Sequence, residues 1–253
     1  MRPHVILFTA QILCAAFLVL SCGKNSASLV DISKEPLPPV DPFTQNQRLG
    51  RGMNLGNALE APNEGDWGVI LKESYFQAIK TAGFTSIRLP VRWSAHAKET
   101  PPYTIDPHFF ARVDWAVHQA LSRKLLLVLN IHHYEALMEN PTTQKARFLG
   151  LWTQIAEHYQ NSPPELLFEI LNEPHGNLTP SLWNLLLADA LSVIRRSNPA
   201  RTVIIGTANW GGLGALDYLT IPAEEQNAIV TIHYYEPFHF THQGAEWVAG
   251  SQA

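Results

Sequence analysis

Cysteine is scarce in this chain, and the charge is nearly balanced. The 253 residues include two cysteines, Cys14 and Cys22, both close to the N-terminus. Residues 23–253 therefore offer no internal disulfide and no thiolate metal site. The formal charge is −4, with 18 basic and 22 acidic residues. Because the sequence has neither a basic excess nor an acidic tail, we expect no nucleic-acid partner.

Long apolar runs are also missing, except at the N-terminus. Arg2 precedes the stretch Val5–Leu20, which is slightly short for a membrane span and is followed by small polar residues. This layout predicts a signal peptide over residues 1–22. The residues VLSC, which end at Cys22, resemble a bacterial lipoprotein cleavage box, although Leu20 is bulkier than the residue usual there.

The leader therefore predicts export. We expect a lipid on Cys22 that anchors the protein to the membrane, at the bacterial outer membrane or cell surface. Secretion to the periplasm or the medium and a retained membrane anchor stay open as alternatives. Residues 23–48 are rich in serine and carry four prolines. Since such a segment buries little apolar surface, we predict a semi-extended linker there and a folded domain over residues 49–253.

Within that domain, short apolar runs alternate with segments of helical spacing. The predicted strands are Gly52–Leu55, Ser86–Pro90, Leu125–Ile131, Leu166–Leu171, Thr202–Gly206 and Ile229–His233. The segments between them carry apolar stripes at helical spacing, and Thr179 followed by Pro180 is a typical helix start. This alternation predicts parallel β-α-β units with right-handed crossovers.

Two α/β architectures fit this pattern, a doubly wound open sheet and a (β/α)8 barrel. A nucleotide-binding open sheet would normally carry a glycine-rich phosphate loop after its first strand. The sequence there is GNALEAPNEGDWG, which contains no GxGxxG motif. Polar residues instead follow nearly every predicted strand, as at the catalytic rim of a barrel. We therefore predict a (β/α)8 TIM barrel, of which this chain contains six of the eight β-α units.

The residues at these strand ends are carboxylates, amides, histidines and large aromatics. This mixture suits a carbohydrate, whose hydroxyls need polar partners and whose apolar ring faces rest on Trp and Tyr. In strand order, they are Asn57 and Glu60; Arg88; Asn130, His132, His133 and Tyr134; Asn172 and Glu173; Asn209 and Trp210; and His233, Tyr234, Tyr235 and Glu236. Glycoside hydrolysis requires two carboxyl groups that flank the scissile bond, one of them protonated.

Structural alternatives exist for several of these residues. Glu173 could cap a helix or pair with a surface base, and Arg88 could be a structural ion-pair partner. A metal could bind the histidines, but adjacent residues on a strand point to opposite faces, which places His132 and His133 badly for one ion. We therefore expect neither a metal nor a cofactor.

At these positions the chain resembles glycoside hydrolase family 5, from Gly50 to Ala253. The resemblance is carried by six ordered strings: NLGNALEAPNEGDWG, IRLPVRWSAHA, VLNIHHYE, FEILNEPHGNLTP, VIIGTANWGG and IVTIHYYEPFHFTHQGAEWV. The family branch with these motifs consists of endo-β-glucanases, some of which also cleave β-mannans. The resemblance thus implies a cellulase-type enzyme with a polysaccharide substrate, and a monomer when complete.

The resemblance also implies a role for each position. Glu173 corresponds to the general acid/base of a retaining mechanism and Asn172 to the amide that binds the sugar 2-hydroxyl. The remaining positions are Arg88, His233 and Tyr235 around the nucleophilic carboxylate; His132 and His133 as substrate-binding histidines; Asn57 and Glu60 at distal sugar subsites; and His242 and Trp247 on a loop that closes over the cleft.

Two departures from the family pattern stand out. Glu236 lies where relatives tend to carry a neutral polar residue. The family nucleophile is a glutamate at the end of the seventh strand, and this sequence stops just past the sixth. We therefore expect a C-terminally truncated chain that lacks the nucleophile and is inactive by itself.

Two functional classes stay open. The first is a retaining endo-β-glycosidase that acts on β-1,4-glucan (cellulose, mixed-linkage glucan, glucomannan), with β-mannan as an additional substrate. The second is a non-hydrolytic cell-surface polysaccharide-binding protein with a degenerate barrel.

Overall fold

Strands and helices alternate along residues 40–250, the part of the chain that the computed structural model describes. The strands are β1 (Gly52–Asn54), β2 (Ser86–Leu89), β3 (Leu126–Asn130), β4 (Leu166–Glu169), β5 (Val203–Gly206) and β6 (Ala228–Thr231). The α-helices are α1 (Pro42–Leu49), α2 (Glu73–Thr81), α3 (Pro107–Ser122), α4 (Glu135–Glu139), α5 (Pro141–His158), α6 (Pro180–Ser197), α7 (Ala208–Gly211) and α8 (Phe238–Thr241). Short 3-10 helices cover Trp93–His96 and Leu213–Tyr218. The predicted signal peptide, Cys22 and most of the predicted linker lie outside the described residues. Within them, we find no helix with the length and apolarity needed to cross a bilayer.

The strands form one parallel sheet in which the spatial order follows the chain, from β1 to β6. A doubly wound sheet would instead reverse its strand order at a switch point. Sequential parallel pairing with a helix after most strands is the wall of a (β/α) barrel. The six strands therefore form an incomplete barrel, which confirms the predicted fold class.

The two faces of this sheet carry different side chains because strand residues alternate in direction. One face, with Ile87, Leu127 and Phe168, packs in the large apolar core that includes the helices. The other face holds a smaller apolar cluster that contains Leu126, Val128, Leu167 and Ile204. Farther along β2, β3 and β4, this inner face continues into Arg88, Asn130 and Glu169, which share its alternation and register. The inner face thus changes from apolar to polar toward the C-terminal ends of the strands.

The helix starts follow from local sequence. Helix α6 begins where Thr179 was predicted to cap it, since the Thr179 side chain accepts a hydrogen bond from the Leu182 N–H, with Pro180 in the first turn. Asp106 caps α3 in the same way, through the His108 N–H at 2.8 Å. These caps satisfy N–H groups that the first turn of a helix leaves without intrahelical partners.

Helix α1 corrects the predicted linker over residues 23–48. Asp41 caps this helix by accepting from the Thr44 N–H at 2.9 Å. Gln45 is fully buried, and its amide donates to the Pro164 carbonyl at 2.6 Å, while Arg48 pairs with Glu165. The prolines of this region misled the prediction because one of them, Pro42, starts a helix rather than an extended tether. The folded domain therefore begins before residue 49.

Candidate active site

The deepest part of the site is an ion pair between β2 and β4. Glu169 is 2% exposed, and its two carboxylate oxygens accept from Arg88 Nε and Nη2, each at 2.6 Å. Arg88 Nη2 also donates to Asn172 Oδ1 at 2.8 Å, and Nη1 donates to Asn54 Oδ1 at 3.1 Å. Burial lowers the pKa of Arg88, but the charge and hydrogen bonds of Glu169 outweigh this and leave the pKa raised. Arg88 is therefore both a structural ion-pair partner and the group that orients Asn172.

Asn130 connects this pair to the first predicted histidine. Its amide donates to Glu169 Oε1 at 3.3 Å and lies 3.0 Å from His132 Nδ1. Because the amide nitrogen can only donate, His132 accepts at Nδ1. Burial lowers the pKa of His132 to about 2, and the charge of Arg88 contributes in the same direction. His132 is therefore neutral at physiological pH and presents hydrogen-bonding groups rather than a charge.

Glu173 lies just beyond β4, in a backbone conformation that is rare for its residue type, with φ of +46°. His233 Nδ1 is 2.6 Å from Glu173 Oε1, and both side chains are mostly buried. Burial raises the pKa of Glu173, but the hydrogen bond and charge of His233, followed by the charges of Arg88 and His175, lower it below its usual value. Glu173 thus caps no helix, and its partner is the histidine that follows β6.

His133 belongs to a second, more open part of the rim. Its ring contacts Trp67 edge to face, with centroids 5.5 Å apart, and lies 4.8 Å from the His132 ring. Burial lowers the pKa of His133, while the nearby carboxylates Glu135 and Glu60 act in the opposite direction. The two predicted histidines are therefore neighbours at the rim, on the side of the loop that follows β1.

Glu60 holds that loop in place. Its carboxylate accepts the Asn57 N–H at 2.5 Å and the Ala58 N–H at 2.9 Å, and the side chain is buried. These bonds fix Asn57, whose φ is +62°. Both residues therefore lie at the rim, and their contact with sugar stays a prediction.

The segment after β6 carries the remaining predicted residues. The Tyr235 ring lies 6.4 Å from the His233 ring and 5.0 Å from the His242 ring, and His242 stacks on Phe238. Burial and then the charge of Glu173 raise the pKa of Tyr235. His242 is thus connected to the site through Tyr235. Trp247, in contrast, is 83% exposed.

The prediction that His132 and His133 lie on a strand and point to its opposite faces was wrong. Strand β3 ends at Asn130, so His132 and His133 follow the strand rather than alternate along it. Within residues 40–250 the structure contains no group of three or more His, Cys, Asp or Glu side chains suited to a metal ion.

Three residues of the site were missed in the sequence. Glu169 was missed because it lies inside an apolar strand. A buried charge requires a partner, so a glutamate at such a position is itself a signal of an ion pair. Trp67 lies in a loop with no periodicity to mark it. His175 stacks on Trp210 with centroids 3.4 Å apart, a contact between loops that local sequence does not reveal.

These residues form an open rim with the buried carboxylates of Glu169 and Glu60, the mostly buried carboxyl group of Glu173, several histidines, an oriented amide and exposed aromatics. The arrangement can hold sugar hydroxyls and place a carboxyl group against a glycosidic oxygen. The sequence model of the family described as cellulase (glycosyl hydrolase family 5) matches residues 47–252.

Named relatives agree with this match. The chain is 43% identical over 204 residues to endoglucanase H of Acetivibrio thermocellus, with 81% of this chain and 23% of the relative covered. It is 61% identical in sequence to endoglucanase Cel5A from Thermotoga maritima. The crystal structure of that protein matches this one with a TM-score of 0.83, over 84% of this chain and 69% of that chain. The same Thermotoga maritima protein has also been solved in complex with mannotriose. That structure is 61% identical in sequence to this chain and matches it with a TM-score of 0.82, over 83% of this chain and 68% of that chain. The chain spans about a quarter of the length of endoglucanase H. With its fold, its site and these relatives in agreement, the chain belongs to glycosyl hydrolase family 5.

Proposed function

We propose that this chain is part of a retaining endo-β-glycosidase that hydrolyses β-1,4-glucan, with Glu173 as the general acid/base. The observation that carries the proposal is the position of Glu173, mostly buried at the barrel rim and 2.6 Å from the His233 ring. A general acid must give a proton to the leaving glycosidic oxygen and later take one from water. The carboxyl group and the imidazole can share one proton across this short contact.

Asn172 is proposed to bind the sugar 2-hydroxyl next to the scissile bond. Arg88 engages the Asn172 side-chain oxygen, which fixes the orientation of the amide and leaves its N–H groups to donate. Such hydrogen bonds strengthen as positive charge develops on the sugar ring in the transition state. Neutral His132 and the aromatic rim residues are proposed to position the sugar units on either side.

The nucleophile is proposed to lie outside this 253-residue sequence. Retention requires a second carboxyl group about 5–5.5 Å from the acid. Three other carboxylates near the rim already have partners: Glu169 is held by Arg88, Glu60 by two backbone N–H groups, and Glu236 by the Phe238 N–H at 3.1 Å. None of the three is free to attack an anomeric carbon without loss of these bonds. We therefore expect no hydrolysis by this chain alone.

Cellulose, mixed-linkage glucan and glucomannan are the proposed substrates, with β-mannan as a further one. Support comes from relatives named as endoglucanases and from Cel5A structures with cellobiose and with mannotriose. Glucan and mannan backbones differ in the orientation of the 2-hydroxyl, so the Asn172 environment is where a preference would arise.

A second candidate function is polysaccharide binding without hydrolysis. The observation that favours it is that Glu169, Glu60 and Glu236 are each bonded to other groups, so none of these three is available as a second carboxyl group beside Glu173. A retaining site needs such a second carboxyl group, whereas sugar binding does not.

The experiment compares the chain with a version extended by the last two β-α units of a family relative. Release of reducing sugar from β-glucan and β-mannan is measured for both, and the anomeric configuration of the first product is followed by NMR. Hydrolysis with retention by the extended version alone supports the proposal. Inversion, or hydrolysis by the unextended chain, contradicts it, and binding without hydrolysis by the extended version supports the second candidate.

We further propose that the protein is exported and lipid-anchored through Cys22. The support is the leader and the VLSC sequence before residue 23. Expression in a Gram-negative host with labelled palmitate should label the wild-type chain and leave a Cys22→Ala variant unlabelled. An unlabelled wild-type chain in the medium would favour simple secretion.

A further inference from the structure

The turn that follows β5 contacts the chain on both sides of the Glu173–His233 hydrogen bond. Residues 209, 210 and 211 all have positive φ, of 54°, 63° and 73°. Positive φ is uncommon for residues other than glycine, so Asn209 and Trp210 are held in this conformation by their surroundings. The turn is closed by the Thr207 hydroxyl, which is buried and donates to the Gly212 carbonyl at 2.9 Å.

On one side, Trp210 holds the residues directly after Glu173. Its backbone N–H donates to the Pro174 carbonyl at 3.2 Å, and its ring stacks on His175 with centroids 3.4 Å apart and planes inclined by 13°. His175 Nδ1 lies 2.6 Å from the Glu173 carbonyl oxygen. Because a carbonyl oxygen only accepts, His175 must donate here. The Trp210 ring thereby holds the His175 imidazole in place, and the imidazole in turn holds the backbone of Glu173.

On the other side, Gly211 supports His233. The His233 N–H donates to the Gly211 carbonyl at 2.8 Å. A Cβ atom on Gly211 would lie 3.0 Å from Cγ of the His233 ring, which is closer than such contacts normally allow. A side chain at residue 211 would therefore push the His233 ring away, in addition to the strain of a φ of +73°.

We propose that Trp210 and Gly211 are positioning residues for Glu173, because the turn they form fixes both partners of the Glu173–His233 hydrogen bond. The inference rests on the proposed role of Glu173 as the acid/base. It assigns Trp210 a task other than sugar stacking, since one face of its ring is occupied by His175. The exposed remainder of the ring stays accessible at the rim.

The pKa of Glu173 reports on this geometry without any need for turnover. The titratable and charged groups that act on Glu173 are His233 after β6, Arg88 on β2, His175 beside α7, and His133 and Tyr235 at the rim. Burial raises the pKa of Glu173 and its hydrogen bond from His233 lowers it. A variant that merely admits water should therefore lower the pKa further, whereas a variant that breaks the hydrogen bond should raise it.

The experiment titrates the Glu173 carboxyl carbon by carbon-13 NMR in the full chain. Trp210→Ala and Gly211→Ala are each expected to raise the pKa of Glu173 by roughly half a unit to one unit. Trp210→Phe keeps an aromatic ring on His175 and should leave the pKa at its wild-type value. Leu213→Ala, an exposed truncation in the next segment, serves as the matched control and should also leave it unchanged.

An unchanged or lowered pKa in the alanine variants would overturn the inference, as would a shift in Trp210→Phe equal to that in Trp210→Ala. If one alanine variant does not unfold cooperatively, the other decides, and loss of folding in both would show a purely structural role. Calorimetry with cellotetraose on the extended version of the chain tests the proposed function separately. Absence of binding together with the expected pKa shifts would contradict that function and leave the positioning role standing.

Discussion

The four central strands and the two edge strands of the sheet differ sharply in burial. Every residue of β3, β4 and β5 is buried, as are three of the four in β2, whereas all three residues of β1 are exposed and β6 is at most half-buried. The edge strands also leave one row of backbone groups without a strand partner among the described residues. The rim side chains carried by central strands are therefore fixed by buried bonds, while those that follow β6 depend on a more exposed segment.

This contrast divides the candidate site into two parts. Arg88, Asn130 and Glu169 belong to the central part and act as a frame. His233 and Tyr235 belong to the edge part, and His233 reaches back to Glu173 through one short contact. If this division is real, the two parts should differ in stability as they differ in burial.

The largest effect is expected from the buried ion pair. Glu169→Ala should lower the free energy of unfolding by about 3–5 kcal/mol, because it leaves the Arg88 guanidinium without its charge partner. Glu165→Ala is the matched control, since its pair with Arg48 is partly exposed and should contribute less than about 1 kcal/mol. Urea unfolding of both variants measures the difference. Equal losses of unfolding free energy would refute the distinction between the buried Arg88–Glu169 pair and the partly exposed Arg48–Glu165 pair.

A second comparison uses apolar side chains on the central and edge strands. Leu167→Ala, on β4, should lower the free energy of unfolding by about 2–5 kcal/mol, because it opens a cavity in the inner apolar cluster. Val230→Ala, on β6, should change the free energy of unfolding by no more than about 0.5 kcal/mol, since Val230 is already 41% exposed. Thermal unfolding checks both, and a large loss at Val230 would mean that β6 is covered in solution.

The third prediction concerns the pKa of Glu173. His233→Ala should raise it by about one unit, because the hydrogen bond that lowers it is removed while the burial that raises it stays. A carboxyl group whose folded pKa is lowered stabilises the fold above its unfolded pKa, near 4.3, and this contribution is lost as the pH falls through the folded pKa. The stability difference between wild type and His233→Ala should therefore shrink as the pH falls through the folded pKa of Glu173 in the variant and then in the wild type. A difference that stays constant from pH 7 to pH 3 would contradict the assignment.

The smallest effect on stability is expected at Trp247. Trp247→Ala should change the free energy of unfolding by no more than about 0.5 kcal/mol, because the side chain is 83% exposed. If the loop closes over the cleft as the family resemblance implies, the same variant should bind cellotetraose more weakly. Unchanged affinity would remove Trp247 from the substrate-binding residues.

Much of the fold could be predicted because it is encoded in local patterns. Buried parallel strands are continuous apolar runs, so each predicted strand overlaps an observed one, with differences of a residue or two where the ladder ends. Thr179 and Pro180 start a helix through bonds within a single turn. Helix α1 was missed because its stability comes from Gln45 and Arg48, whose partners Pro164 and Glu165 are more than a hundred residues away.

The placement of the candidate residues at one rim was predictable where strand ends marked them and less so elsewhere. Asn172, Glu173 and His233 follow apolar strands, and parallel pairing brings such ends to one rim. The contacts of Trp67 and His175 join separate loops and follow from no periodicity. The Arg88–Glu169 pair depends on the register between nonadjacent strands, which a single sequence does not specify.

The most direct test of the central assignment is the turnover of a Glu173→Gln variant in the extended version of the chain. Glu157→Gln, an exposed substitution of the same kind on α5, is the control. If Glu173 is the acid/base, hydrolysis of unactivated β-glucan should fall by at least about 10²–10⁴-fold in Glu173→Gln, while the Kd for cellotetraose and the activity of the control stay unchanged. Normal turnover by Glu173→Gln would contradict the account.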